Sequence, residues 1–596
     1  MMKYNACYHY LLFILANIGL APNLWAQKDT SKNSVHVIHS EFLRFERFDG
    51  REIQYLSQDI AVLHKKTYLF CDSAVIEGQR VLAIGHVRIV EGDSLQIFGD
   101  TLYYDGQKLQ ADFINNIVLR HKDRQLFTSA LHYDLKKRIA SYTTGGLLSS
   151  GNTQLESNRG YYHAKQEMAF FKDSVNVILQ DSMNLQADSM IFDAKKNHVV
   201  FTGPTDIKQK DMNIFAEAGY YDINLQRSFF WKNPVYRKSS QSADAENIEF
   251  RAQENVIILT RNAWIRDSVQ QAKGDSIYID QAKDMVYIYG NGWYKDKDRS
   301  LKGESIIYNK KTKSLQVQGR TQVFEGKQII TADKIVYSGD KDLGEAFGEV
   351  ILRDTQSGFE IHCDTFQYNK KDKLLIPIGK RKYISTPVDN DTLYMTADSL
   401  LSKQISENGD TFNIMRAFYH VKIWSNKMQG LCDSLYFDGR DSVFRMMYNP
   451  VLWADTTQFI GDTILLYLKN KALNQIHLIQ KAFVLTESVT NLTNQMKGRY
   501  ITAFFANKRM DHLTSQGNAE SVYFIQDEDK AYIGTNYIKS SSMKMVFNDQ
   551  RKIDKIHFYT KPEGNMLPLH SGKTKLLEGY ISRSKEKPTS LEDIIK

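Results

Sequence analysis

Along most of the chain, apolar runs of four to six residues alternate with short polar breaks, and within many runs apolar and polar positions take turns. That period belongs to strands rather than helices. One stretch shows the anatomy. Asp188 is followed by Ser189, Met190, Ile191, Phe192 and Asp193, then by a polar turn over 194–197. The run 198–202 leads to Gly203, and a second run ends at the tight pair Lys210-Asp211. Met212–Ala216 then closes on Glu217.

The same phrase recurs: a small residue, an acid, Ser or Thr, an apolar residue, any residue, an apolar or aromatic residue, then Asp or Asn. It stands at Ala187–Asp193, at Gly274–Asp280 and at Cys432–Asp438. Looser copies begin at Asp72, Asp100, Glu217, Glu246, Glu304, Asp333, Asp364, Asp398 and Asp462, and degenerate ones at Glu41, Ser129, Asn158, Arg499 and Thr535. Anchors 188, 217, 246, 275, 304 and 333 are 29 residues apart every time; later intervals stretch to between 29 and 37. Self-similarity at a fixed period marks a repeat architecture. The expected fold is therefore all-β and elongated, with about seventeen repeats of ~29 residues.

Glycine stands fifteen residues after the acid at Gly203, Gly290, Gly319, Gly348 and Gly379, and glycine inside a strand marks a bend or bulge. Each repeat is read as two strands bent in the middle, one at glycine and one at the acid. Links as short as Lys210-Asp211, Glu91-Gly92 and Glu325-Gly326-Lys327 suit antiparallel hairpins. Two sheets of V-shaped strands would then face each other across an apolar interior, giving a body on the order of 160 Å at one strand spacing per strand. Positions two and four after the acid share one face. They are Leu102 and Tyr104, Met190 and Phe192, Ile277 and Ile279, Ile306 and Tyr308, Ile335 and Tyr337, Phe366 and Tyr368, and Leu435 and Phe437. Tyr221 and Phe250 hold the fourth position of their copies. That face is expected inside, either as an ordinary core or as a trough open to acyl chains.

Chemistry-bearing residues narrow the field. Residues 1–26 read as a secretory signal, with Lys3, an apolar stretch from Tyr10 to Leu20 and Leu24-Trp25-Ala26 before the cleavage point. No later stretch is long and apolar enough for a membrane-spanning helix, so a soluble product is expected. Lys and Arg number 77 against 69 Asp and Glu, a mild excess with no concentrated basic arm for nucleic acid. Basic clusters such as Lys136-Lys137-Arg138, Lys310-Lys311 and Lys380-Arg381-Lys382 fall at turns, as solvated edge charges or as contacts for phosphates. Cys71, Cys363 and Cys432 occupy the small position before the acid, and the last two are too far apart for a bridge. The Asp-Ser pairs have no recurring histidine beside them, so the acid is expected to accept backbone N–H groups at the bend. No Cys/His spacing suits a metal. No cofactor, no metal and no enzymatic activity are expected.

The phrase Ala187–Asp193, the Lys195-Lys196-Asn197 turn and Val199-Val200-Phe201-Thr202-Gly203 resemble the OstA/LptA-type (organic solvent tolerance-like) lipopolysaccharide-transport repeat; so does Ala332-Asp333-Lys334-Ile335-Val336-Tyr337. The likeness spans most of 35–550 and is strongest over 187–370. It implies a bent antiparallel β-jellyroll in the periplasm whose interior shields the acyl chains of lipopolysaccharide or a lipid A-like glycolipid. It also implies joining to other lipopolysaccharide-transport proteins through end-to-end strand pairing, contact with the outer membrane, and a lipid-lining role for the inward residues named above. This chain departs from the pattern in being several times longer than one bridge domain and in lacking a C-terminal barrel. The expected organisation is a signal over 1–26, a regular segment over 27–370, a less regular one over 371–560 and a polar flexible tail over 561–596. The competing reading is a structural or adhesive secreted β-solenoid without lipid cargo. A polysaccharide-active β-helix enzyme ranks last, because the recurring acids stand single-file at bends.

Overall fold

The computed structural model of the chain describes residues 34–595, apart from 93, 180–182, 389, 408–409, 471, 488–491, 508, 528, 530 and 549–552. The expected signal over 1–26 lies outside the described residues. Two compact units are present, one ending at Lys196 and the other beginning at Asn197; the expected division at 370/371 falls inside the second. In each unit the strands are antiparallel, as the short hairpin links require. Arg51–His64, Thr67–Glu77, Arg80–Glu91, Leu95–Asp105 and Gln110–His121 pair in succession in the first unit. Val256–Arg266, Gln271–Asp280, Met285–Lys295, Arg299–Asn309 and Ser314–Glu325 do so in the second. The fold is the all-β jellyroll expected from the repeat.

Most long pairs are broken at their middle in the same way. Between Ser57↔Ser73 and Ile60↔Cys71, two residues, Gln58 and Asp59, face one, Asp72. Arg261 and Asn262 face Asp275, Gly290 and Asn291 face Glu304, and Gly348 and Glu349 face Asp364. This is a bulge of two against one, which bends both strands and sharpens their twist. The anchor acid is thus the lone residue opposite each bulge. In most bulges both residues are left-handed, as at Asn115 and Asn116 (φ 64° and 50°) or Tyr419 and His420 (φ 61° and 49°); at 319–320 Gly319 is left-handed and Arg320 is not. The backbone N–H of the preceding anchor acid, on the other side of the bulge, closes the bend on a bulge carbonyl, Glu217 on Lys232 at 3.1 Å and Glu246 on Arg261 at 3.0 Å. In the last long pair, Gly517 and Asn518 face Ser541. The weak copy expected at Thr535 therefore belongs six residues later.

Glycine enters this bend for two reasons at once. Gly290 is left-handed (φ 68°), and a side chain there would run into the carboxylate of Asp275. Gly348 stands in the same relation to Asp333. Where the second bulge residue is polar, it meets the acid instead: Asn116 Nδ2 donates to Asp100 at 2.7 Å, and Asn262 Nδ2 to Glu246 at 3.0 Å. These acids are mostly exposed and bind side-chain donors, although Asp364 also accepts the N–H of Lys380 at 3.1 Å. The expected backbone-capping role falls mainly to the other acid, at the end of the phrase. Asp105 accepts the N–H groups of Gln107 and Lys108, both at 3.0 Å, and Asn309 those of Lys311 and Thr312 at 3.0 Å. Asx turns of this kind are favoured because the side chain imitates a backbone acceptor. Beside each bend acid, Cys71, Cys363 and Cys432 are buried and unbridged.

Residues 561–595 are not the flexible tail expected from their polarity. Glu563–Leu567 pairs with Tyr532–Phe547, and the chain then doubles back over the outer face of the second unit. Alternation places Ala482 and Val484 inside, so Phe483 and Leu485 point outward, yet both are buried. Leu577 packs on them together with Val522 and Phe524. Two buried glutamines hold the returning backbone. Gln495 donates to Lys575 O and accepts from Leu577 N, both at 2.9 Å. Gln458 donates to Ile581 O and accepts from Arg583 N, both at 2.8 Å. The apolar outer face of these last repeats requires a cover, and this segment supplies it.

Two outcomes check this account. Gly290→Ala should lower stability in urea denaturation by about 1–3 kcal/mol, and Gly92→Ala by less, since Gly92 is left-handed with open space around it. Gln458→Ala combined with Gln495→Ala should speed tryptic cleavage between 575 and 587, read by mass spectrometry, while the rest of the fold stays resistant.

Candidate functional site

Within each unit the bend turns the residues two and four after each acid toward one interior. In the first unit Leu102, Tyr104, Met190 and Phe192 are all buried. In the second, Tyr221, Phe250, Ile277, Ile279, Ile306 and Tyr308 are buried too, as are Ile335, Phe366 and Leu435. Of the residues singled out from the sequence, Tyr337, Tyr368 and Phe437 alone keep partial exposure. For most of these positions the interior is a packed core.

The open side of the V is latched in the first unit. Residues about forty apart meet across it, from the tight-turn end of one strand to the Asx-turn end of a later one. His64 Nδ1 and the Tyr104 hydroxyl share a hydrogen bond, and His121 Nδ1 and the Tyr162 hydroxyl share another at 2.6 Å. Tyr133 donates to Glu91, which also lies 3.3 Å from Arg138. Glu167 accepts from Lys122 at 2.6 Å and from Arg124 at 3.1 Å. Those hydrogen bonds, Lys122's above all, hold the Glu167 carboxyl below its ordinary pKa despite its burial. Burial lowers His121 and pushes the Tyr162 phenol up to about 12. These groups are tied into the seam.

The second unit has larger cavities. One, of about 220 Å³, has a floor that includes Leu301, Leu315, Val323, Ile335 and Phe366. Its lip is charged. The Arg299 guanidinium sits 5.6 Å from the Tyr337 ring centre and the Lys370 ammonium 5.9 Å from it, so the ring lies near two cations. Tyr337 donates to Asp342 at 3.0 Å, and Arg299 to Asp296 at 3.0 Å. Burial, then the bond to Asp342, raises the Tyr337 pKa. Asp298, Glu325 and Glu345 complete a lip of mixed sign. A second cavity, of about 260 Å³, borders Phe437. An apolar floor under a charged lip can hold hydrocarbon below and a polar head group above.

Residues 32–183 match the family model described as OstA-like protein. Residues 154–285 match that described as LptA/(LptD N-terminal domain) LPS transport protein. Over 32–285 the repeat matches models of the OstA/LptA type. Among solved structures, the chain is similar to LptH, the LptA homologous periplasmic component of the lipopolysaccharide transport device from Pseudomonas aeruginosa. Identity is 18%, over 18% of this chain and 82% of that one, with a TM-score of 0.17. No curated protein matches the chain. The stretch matched to the OstA/LptA-type models ends at residue 285, whereas the charged cavity begins at Asp296.

Sequence reasoning placed Tyr337 and Tyr368 on the inner face but missed Arg299 and Lys370. Both stand at strand ends, where a charged residue reads as ordinary turn polarity. Their shared distance to one inward tyrosine emerges only when the V closes.

The seam gives a pH test. Because the folded pKa of Glu167 is depressed, its contribution is present above the unfolded value of about 4.3 and is lost as pH falls through the folded one. Glu167→Gln should be less stable than the natural chain at pH 7, and urea midpoints of the two should converge as the pH is lowered into the acid range.

Proposed function

We propose that this chain is a periplasmic lipopolysaccharide-binding and transport protein that contributes to outer-membrane assembly, shielding acyl chains in its apolar β-interior. The observation that carries the reading is the cavity over 296–370, which apolar side chains line together with Arg299, Tyr337 and Lys370. Acyl chains need the floor, because burying hydrocarbon removes it from water at about 25 cal/mol per Å². Phosphates of a lipid A-like head group need cations at the rim, and Arg299 and Lys370 stand there among the carboxylates of Asp296, Asp298, Glu325 and Glu345. The OstA/LptA-type repeat supports the same cargo class.

The N-terminal edge supports assembly with other transport proteins. His36–His39 and Phe42–Phe48 pair with Arg51–His64 and with no other strand among the described residues. Phe42, Leu43, Phe45 and Phe48 are exposed there. An exposed apolar edge is a template for strand addition, so this end is the proposed joint. Secretion through a cleaved signal and association with the outer membrane complete the proposal.

The alternative, a structural or adhesive secreted solenoid without lipid cargo, draws on the packed interior of the first unit. The two readings part in one experiment. A photo-crosslinking amino acid replaces Tyr337, Tyr368 or, as a control in packed core, Phe192 in cells. Lipopolysaccharide adducts at Tyr337 and Tyr368, with little or none at Phe192, are expected. A folded protein with no adduct at either tyrosine decides for the structural reading.

A further inference from the structure

The second cavity differs from the first in its chemistry. Leu393, Met395, Met415, Ile423, Phe437 and Phe444 form most of its apolar wall. The polar side chains that line it are those of Ser357, Thr386, Ser402, Asn413, Ser442 and Asn470. Among the described residues none of its lining side chains is ionised, whereas the first carries Arg299, Lys370 and several carboxylates. A phosphate or carboxylate brought to a border of hydroxyls and amides sheds water and gains no counter-charge, an unfavourable exchange. A neutral ester or hydroxyl there keeps its hydrogen bonds.

Size narrows the ligand further. The volume, about 260 Å³, lies between the roughly 150 Å³ apolar cavity that accepts benzene and the roughly 300–1,000 Å³ of pockets for drug-sized ligands. Part of one slender chain fits, the remainder leaving through the open side; a bundle of chains does not. Met395 and Met415 suit such a guest, because unbranched thioethers adapt to a narrow apolar shape.

The wall is also braced from behind. Inner residues Leu393, Met395 and Ile423 belong to the strands Asp391–Thr396 and Asp410–Trp424. The final helix, Glu592–Ile595, lies against those same two strands. Its Ile594 is buried, and Lys422 donates to Asp593 O at 3.1 Å. The returning C-terminal segment thereby fixes one side of the cavity.

We infer that this cavity is a binding site for the single acyl chain of an uncharged lipid, separate from the charged cavity to which the lipopolysaccharide reading is assigned. The test uses the full secreted chain and the neutral fluorophore 1-N-phenylnaphthylamine. Saturable binding is expected, with displacement by 1-oleoylglycerol. Oleoyl lysophosphatidate, which has the same chain on a phosphate, should compete at least about tenfold less well, as an unpaired charge at a neutral border requires. Met395→Trp should abolish probe binding, while Leu315→Trp, which fills the charged cavity, should leave it intact. If Met395→Trp does not fold, Phe437→Trp reports instead, through energy transfer from the introduced indole to the bound probe. The proposal is overturned by absence of saturable binding, by equal competition from the phosphorylated lipid, or by probe binding that survives Met395→Trp or shows no transfer in Phe437→Trp. None of these outcomes bears on crosslinking at Tyr337, so the two proposals fail separately.

Discussion

The constraint on which the structure depends is the bulge that sets two residues, mostly left-handed, against one in the middle of most long strand pairs. A flat antiparallel ladder would leave one apolar face in water. The bend turns the two halves of that face toward each other, so a single alternating strand supplies both walls of its interior. The cost is backbone strain at consecutive left-handed positions, borne by glycine at Gly290 and by residues such as Tyr419 and His420 elsewhere. The preceding anchor acid, on the other side of the bulge, helps to hold the bend, through its own N–H and through partners such as Asn116 and Asn262.

A bent strand leaves one side of the interior without a backbone ladder, and what closes that side governs what the interior can hold. In the first unit, buried phenols, histidines and the ion pairs of Glu91 and Glu167 do so, and the core between them is packed. In the second unit cavities remain at strand ends. The same repeat therefore gives a closed core in one stretch and open space in another, by changing side chains at the turns while the bends stay in place.

The last repeats face a different problem. Their outward positions, among them Trp453, Phe483, Leu485, Val522 and Phe524, are apolar. The continuous runs Val451-Leu452-Trp453 and Phe483-Val484-Leu485 carry this information, since a strand apolar on both faces is covered on both. Residues 575–595 look like a tail because they are polar and lack the repeat. Their attachment rests on a few anchors, Leu577 and Ile594, and on backbone groups bound by Gln458 and Gln495. Backbone recognition of that kind leaves little mark on the recognised sequence.

Period-two alternation, the 29-residue beat, the small residue beside each acid and the tight links are local. Together they determined the all-β antiparallel fold, the place of most bends and the inward face on which Phe192, Ile277 and Tyr337 all lie. Whether such a residue meets packed neighbours or open space depends on the opposite wall, supplied by residues about forty positions away. Phe192 and Tyr337 hold the same place in their repeats, yet one is sealed and the other borders a cavity. Only the tertiary structure decided that, because the gap between two walls is a property of both and is encoded in neither alone.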